Sequence, residues 1–284
     1  MAHIREIKKR IKVAQNIQQI TRAMGMVAAV RLRRAQERLF AVRPYTERLG
    51  AMLSRMVQAS PDDEHPLFTP REPVTKVLLV PITADKGLCG SYNTNIVRRT
   101  AAAMAELAQA RVTLYPLGRK GYDNFRRADT PMAGYRLDLL RSPILHDADA
   151  VAQELTRLYL SGEYDEVRVI YNRFVSAAHQ VIEVERYLPF TLPPVSGEAA
   201  WPIVEPNPLA AVNALATEWT RARMYHYFIE ASAGELGARR TAMDAATDNA
   251  GEIIANQTLA MNRARQTAIT MEILDIINGA EAMK

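Results

Sequence analysis

Apolar residues recur at helical spacing along the first 59 residues of the chain. They step by three or four positions, which is the spacing of a narrow seam on a coiled-coil helix. The segment 2–59 therefore predicts one long helix, with a kink or break at Pro44 and an end at Pro61. The expected seam slips in phase after Ala14 and consists of Ile4, Ile7, Ile11, Ala14, Ile17, Ile20, Met24 and Val27.

The end of the chain has the same pattern over a longer stretch. Asn207 and Pro208 form a good helix start, because Asn accepts a hydrogen bond from a free backbone N–H and Pro fits the first helical position. No proline follows Pro208, and Gly279 is a suitable stop. About 70 residues correspond to ~105 Å of helix. Its expected seam is rich in alanine: Leu209, Val212, Ala216, Trp219, Met243, Ala246, Ala250, Ile253 and Gln257.

The middle of the chain alternates strand and helix patterns. Val77 to Val80 is a continuous apolar run, which is typical of a strand buried on both faces. A proline-rich linker is expected over 189–208. The other predicted elements are a helix over 93–110, a strand over 112–117, a helix over 118–128, a weak strand over 135–139, a helix from a cap at Asp147 to Leu160, and a hairpin of strands around 167–171 and 181–187.

Together these elements predict an α/β fold in three parts. Residues 1–59 and 207–284 would form a long antiparallel two-helix coiled coil, and residues 72–195 a small Rossmann-like α/β domain with a mainly parallel sheet. The alternative is two separate amphipathic helices packed on the middle domain. Helices of about 50 and 70 residues exceed ordinary helix lengths, which favours the coiled coil.

Charge is concentrated in the first helix. Residues 1–59 contain 13 Lys/Arg and 3 Asp/Glu, a net charge of +10, whereas the whole chain has a net charge of +5. Such a stretch suits nucleic acid, a membrane surface or an acidic protein partner. The single cysteine excludes an internal disulfide and a multi-thiolate metal site. No apolar run is long enough for a transmembrane helix, and the charged start of the chain does not resemble a signal peptide.

Sites for covalent chemistry are weakly indicated. The loop 83–91 follows the first strand and carries two glycines, but it matches neither glycine-rich phosphate motif, so the glycines are expected to serve backbone geometry. Cys89 has no histidine nearby and is expected to be a buried, inert thiol. Arg31, Arg34 and Arg38 share a helical face, yet aromatic residues that stack on bases are absent from it. A nucleotide-binding α/β enzyme and a basic coiled-coil adaptor for nucleic acid remain as alternative functions.

Four segments, taken in order, resemble the gamma subunits of F-type ATP synthases. They are 20–29, 85–90, 245–250 and 262–273, and the likeness extends over residues 1–284. Two positions depart from the family pattern: Gly25 stands where the family usually has Glu, and Asp244 where it usually has a basic residue.

The resemblance implies a central rotor shaft. The coiled coil would enter a ring of three alpha and three beta subunits, and the α/β domain would contact the epsilon subunit and the membrane c-ring. ATP would be made or hydrolysed on the beta subunits, coupled to a flow of H⁺ or Na⁺ through the c-ring. This chain would therefore have no catalytic residue, cofactor, bound nucleotide or nucleic-acid partner. It would be a peripheral protein on the cytoplasmic face of a bacterial cell membrane.

The same match indicates which residues would couple the shaft to the beta subunits. Arg265 and Gln266 are candidates for hydrogen bonds to a beta-subunit loop, with Thr270 nearby. Arg239 is a less specific candidate, because Arg240 beside it fits the pattern equally well. Met24 lies in the segment that would face the acidic lever region of beta; alternatively, it packs within the coil. The basic N-terminal helix suits that acidic partner.

Overall fold

The computed structural model describes residues 2–59, 65–192, 204–205 and 207–281. The expected helix end at Pro61 and most of the expected linker lie outside these residues. In the described part of the chain, no helix is both long and apolar enough to cross a membrane. The elements are α1 (Ala2–Ala59), β1 (Lys76–Pro81), α2 (Tyr92–Glu106), β2 (Arg111–Leu114), α3 (Arg119–Arg127), α4 (Leu145–Leu160), β3 (Glu166–Phe174), β4 (Gln180–Leu188) and α5 (Pro208–Glu281).

Both long helices are present, with 58 residues in α1 and 74 in α5. As predicted, α5 begins at Pro208, and the Asn207 side chain accepts the backbone N–H of Ala210 at 2.8 Å. The predicted stop at Gly279 is wrong, since α5 continues to Glu281. A break at Pro44 is also wrong, because α1 is continuous through it. Tertiary packing on both sides of the proline outweighs the lost hydrogen bond.

The four strands form one sheet in the order β2-β1-β3-β4. β1 pairs in parallel with both β2 and β3, and β4 returns antiparallel to β3, which confirms the mainly parallel sheet and the hairpin. The weak strand expected over 135–139 does not form. This segment contributes only the isolated bridge between Leu117 and Arg136. Two residues later, Asp138 adopts a left-handed φ of 61°, which does not fit an extended strand.

Helix α4 begins earlier than its sequence indicates. Ile144 occupies the capping position with an extended backbone, and Asp147 lies within the first turn. The prediction that Asp147 caps the helix is therefore wrong. A carboxylate in the first turn still stabilises the helix, through its interaction with the positive end of the helix dipole.

Contacts divide the chain into two compact units, residues 29–239 and residues 1–28 with 240–284. In the first of these, the sheet is covered on both faces. Alternate residues of β1 point to opposite sides, so Leu78 and Val80 join one core and Val77 and Leu79 another. α1, α4 and α5 cover the former, whereas α2 and α3 cover the latter. This double coverage explains the continuous apolar run of β1.

The second unit is an antiparallel pair of helices. The hydroxyl oxygens of Thr21 and Thr247 lie 2.8 Å apart, and Gln18 Nε2 donates to the Thr247 carbonyl at 3.5 Å. A Cβ on Gly25 would lie 3.1 Å from Asp244 Oδ1, and one on Gly251 would lie 3.0 Å from Gln18 Nε2. Partners on α5 come earlier in the chain as residues on α1 come later. The two departures noted from sequence, Gly25 and Asp244, therefore face each other.

The seam of this pair is more regular than the sequence indicated. The less exposed residues of α1 recur at alternating steps of three and four without a change of phase. They include polar and small residues, which a search for apolar residues alone does not find. Ile17, Ile20 and Val27 are instead exposed, so the second half of the expected seam is wrong. Leu209 and Ile253 on α5 are likewise exposed. The observed α1 seam is Ile4, Ile7, Ile11, Ala14, Gln18, Thr21, Gly25 and Ala28; on α5 it is Met243, Thr247, Ala250, Ile254 and Gln257.

Candidate coupling surfaces

The end of α5 presents three of the five candidate residues to solvent. Arg265, Gln266 and Thr270 are all exposed. Gln266 and Thr270 lie one turn apart on the same helix face, and Thr270 Oγ1 donates to the Gln266 carbonyl at 3.0 Å. They lie on one exposed face of α5 together with Arg263, Thr267, Met271 and Leu274. The amide of Gln266 is thus available to a partner beside an apolar surface.

The pairing register shows where α5 outruns α1. Residue 18 faces 251 and residue 25 faces 244, so the first residue of α1 falls opposite about residue 267. Every described side chain from Ile269 to Asn278 is exposed. The unpaired end therefore begins about five residues later than the expected position, Asn262. This single-helix end carries several exposed apolar side chains: Ile269, Met271, Ile273, Leu274, Ile276 and Ile277.

A second apolar stripe lies on α1. It consists of Val13, Ile17, Ile20 and Val27, all exposed, and we call it the outer stripe. Met24, the candidate residue that lies on α1, fits the same spacing and is half-buried. Met24 therefore belongs partly to the seam and partly to the outer stripe. An exposed apolar stripe at spacings of three and four is the surface by which one helix binds another.

Arg239 is placed differently from the other candidates. Its side chain is 15% exposed and belongs to the unit of residues 29–239. Arg239 Nε donates to Glu235 Oε1 at 2.8 Å, and Nη1 donates to the Gly87 carbonyl at 2.7 Å. The guanidinium thus joins α5 to the loop that follows β1.

Side chains of that loop bind backbone groups of the segments around it. Asn93 Oδ1 accepts the N–H of Ala84 at 2.9 Å, and Thr83 Oγ1 accepts the N–H of Gly121 at 2.8 Å. Asp85 Oδ1 accepts the N–H groups of Arg119 at 2.9 Å and Asp138 at 3.0 Å. Thr83 and Asp85 therefore fix the start of α3 and the segment near Asp138 against the loop.

Cys89 is buried beside the same loop, as expected. Asn93 Nδ2 lies 3.2 Å from its Sγ. Burial, followed by the nearby Glu235 carboxylate, raises the pKa of the Cys89 thiol. A thiol with a raised pKa is a poor nucleophile at neutral pH. Among the described residues, no group of three His, Cys, Asp or Glu side chains could hold a metal ion.

Sequence reasoning missed the buried Glu230 of α5 and the half-buried Glu185 of β4. Glu230 is 1% exposed and is bonded to Arg43 of α1 and to the backbone at the end of β3. Glu185 of β4 accepts hydroxyl hydrogens from Tyr171 at 2.7 Å and Tyr227 at 2.8 Å. The available signal was a single Glu at position 230 between the apolar residues 229 and 231, where a helix that is apolar on every side needs a partner for a charge.

Comparison with known proteins agrees over the full length of the chain. The family model described as ATP synthase matches residues 3–283. The ATP synthase gamma chain of Moorella thermoacetica is 44% identical over 284 residues, and that of Desulfitobacterium hafniense is 43% identical; each alignment covers all of both chains. The chain belongs to the ATP synthase gamma family.

Solved structures show the same fold for this family. A chain from the central stalk and c-ring structure of the Tetrahymena thermophila mitochondrial ATP synthase is 27% identical, with a TM-score of 0.62 over 80% of this chain and 99% of that one. A chain from the Euglena gracilis mitochondrial ATP synthase has a TM-score of 0.70 at 20% identity, covering 99% of this chain and 95% of the other. The second likeness shows the fold alone.

Proposed function

We propose that this chain is the central rotor shaft of a rotary F-type ATP synthase. The observation that carries the proposal is the full-length match to ATP synthase gamma chains at up to 44% identity among the relatives described. The exposed single-helix end of α5 and the outer stripe of α1 support it, because both are apolar surfaces without partners in the described chain. Catalysis would take place on the beta subunits, and this chain would bind no nucleotide or cofactor.

The partners follow from the same family. Three alpha and three beta subunits would surround the coiled coil, and the α/β domain would bind epsilon and the c-ring. The chain would lie on the cytoplasmic face of a bacterial membrane as a peripheral protein. Identical beta subunits differ in affinity for nucleotide only if something contacts each of them differently. Two unequal helices provide such an asymmetric surface, so rotation of the shaft would change the state of each beta subunit in turn.

The proposed contacts with beta divide into two groups. Arg265 and Gln266 would hydrogen-bond to a beta loop beside Thr270, since all three are exposed on the apolar end of α5. Met24 and the outer stripe would pack on the lever region, and the positive charge of α1 would attract its acidic residues. A contact between Arg239 and beta stays a prediction. To form it, Arg239 would have to keep its bonds to Glu235 and Gly87 or exchange them for bonds to beta.

Substitutions at the end of α5 test these contacts. Arg265→Ala or Gln266→Ala should lower ATP turnover or proton pumping in the assembled complex, because each removes a hydrogen-bonding group from an exposed helix. Arg263→Ala is a matched control for Arg265→Ala, since Arg263 is also exposed but lies two residues away, about 200° around the helix. Wild-type turnover and pumping in both variants, or equal losses in the control, would remove the assigned roles.

A further inference from the structure

Two carboxylates of α5 are buried within the unit of residues 29–239. Glu230 is 1% exposed and Glu235 is 9% exposed. Removing a carboxylate from water costs several kcal/mol unless a positive charge and hydrogen bonds compensate. Each of these carboxylates has such a partner, and each partner also leads to a loop of the sheet.

Glu230 is bonded to α1 and to the end of β3 at the same time. Its Oε1 accepts Arg43 Nη2 at 2.8 Å and Nε at 3.0 Å, and its Oε2 accepts the N–H of Phe174 at 2.7 Å. Arg43 Nη2 also donates to the Phe174 carbonyl at 2.9 Å. Phe174 is the last residue of β3. Helix α1, helix α5 and strand β3 therefore meet at one ion pair.

Glu235 reaches the loop after β1 through Arg239. The Glu235 carboxylate accepts both Nε and Nη2 of Arg239, while Nη1 donates to the Gly87 carbonyl at 2.7 Å. β1 and β3 are adjacent parallel strands. The Arg43–Glu230 pair and the bond from Arg239 to Gly87 therefore hold α5 at the carboxyl ends of the two central strands, and Glu235 orients Arg239 from one turn earlier on the same helix.

The bonds that join α5 to the sheet lie on different sides of the helix. Nine residues correspond to about 900° of helix rotation, so Glu230 and Arg239, the two side chains that bond outside α5, point about 180° apart around the helix. The close-packed apolar side chains of α5 already resist turning of the helix, and directional bonds add to that resistance. Charge-assisted hydrogen bonds are directional and strong, and bonds on two sides of a helix oppose its rotation in either sense.

We propose that Glu230 and Glu235 are positioning residues that form a double latch, which fixes the rotational setting of α5 against the sheet. The inference rests on the proposed rotor function. Torque delivered to the α/β domain would pass through the latch into α5, and Glu230 would pass part of it to α1 through Arg43. Neither carboxylate contacts nucleotide in this account, so the latch affects the transmission of torque rather than the hydrolysis of ATP.

The test uses the complex assembled with alpha and beta subunits, held by its ring, with an optical probe on the α/β domain. In Glu230→Gln/Glu235→Gln, the thermal angular width of the probe at rest should increase by about twofold, while hydrolysis without load is retained. In the complete complex with its c-ring, reconstituted in vesicles, the same variant should pump fewer protons per ATP. Glu183→Gln is the control, because Glu183 forms a more exposed ion pair with Arg173 in the hairpin. An angular width equal to that of the control would overturn the latch.

A second variant keeps the proposal testable if the first variant does not assemble. Arg43→Met/Glu230→Leu removes the buried pair without leaving an unpaired charge, a change that is often tolerated by folding. The Phe174 N–H loses its acceptor, so the variant should melt below the wild type, yet it should assemble and still show the wider angular distribution. A wild-type width in this variant overturns the role of Glu230. Absence of rotation in the wild-type complex would instead refute the proposed function, so the two failures are distinguishable.

Discussion

At the scale of single residues, burial decides which charges matter. The exposed candidates Arg265, Gln266 and Thr270 could be named from sequence, because their roles depend on a local motif on one helix. Glu230 could not, since its partner Arg43 lies 187 residues away and becomes a neighbour only after folding. Glu185 depends in the same way on Tyr171 of β3 and on Arg223 and Tyr227 of α5.

Glu185 gives a prediction for the dependence of stability on pH. Burial acts to raise its pKa, but hydrogen bonds from Tyr171, Tyr227 and Arg223 outweigh burial and hold the pKa below its ordinary value of 4.5. The folded state therefore binds this proton less readily than the unfolded state does. The stabilisation that results is present above pH 4.5 and is lost as the pH falls through the lowered pKa.

Comparison of the wild type with Glu185→Gln measures this contribution. The free energy of unfolding of the wild type should exceed that of the variant at neutral pH, and the difference should shrink as the pH falls below 4.5. Denaturant unfolding at a series of pH values gives both curves. A difference that stays constant across this range would show that Glu185 contributes by shape and not by charge.

At the scale of elements, apolar runs and alternation predicted the four strands of the sheet, and helical spacing predicted the two long helices, whereas the weak strand expected over 135–139 was wrong. The strand β1, the hairpin and the start of α5 were all read from sequence. The seam of α1 was not, because Gln18, Thr21 and Gly25 continue the repeat with polar and small residues while isoleucines occupy the outer stripe. A pattern that counts only apolar residues follows the isoleucines and places the wrong face inside.

The two faces of α1 predict opposite effects for the same substitution. Ile7 is 6% exposed and Ile20 is 59% exposed. Ile7→Ala should destabilise the helix pair by about 2 kcal/mol, because it leaves a cavity in the seam, whereas Ile20→Ala should cost less than about 0.5 kcal/mol. Hydrogen exchange of the helix amides measures both. Ile20→Ala should instead lower proton pumping in the assembled complex, and equal destabilisation by both variants would contradict the observed seam.

At the scale of the whole molecule, the proposed role of the chain is mechanical. Family membership and fold could be obtained from sequence, because four ordered motifs extend over the full length. The latch at Glu230 and Glu235 could not be obtained from sequence, since it depends on the directions in which side chains point around the axis of a helix that packs against a sheet. The surfaces left for partners are the single-helix end of α5 and the outer stripe of α1.

The most direct test of the central claim is to observe rotation. A complex of this chain with alpha and beta subunits is fixed by its ring, and a bead attached to the α/β domain is followed while ATP is supplied. We predict continued rotation of the bead in one direction, which starts with ATP and stops when ATP is removed. ATP hydrolysis by an intact complex while a freely attached bead only fluctuates about one angle would contradict the assignment of this chain as the rotor shaft.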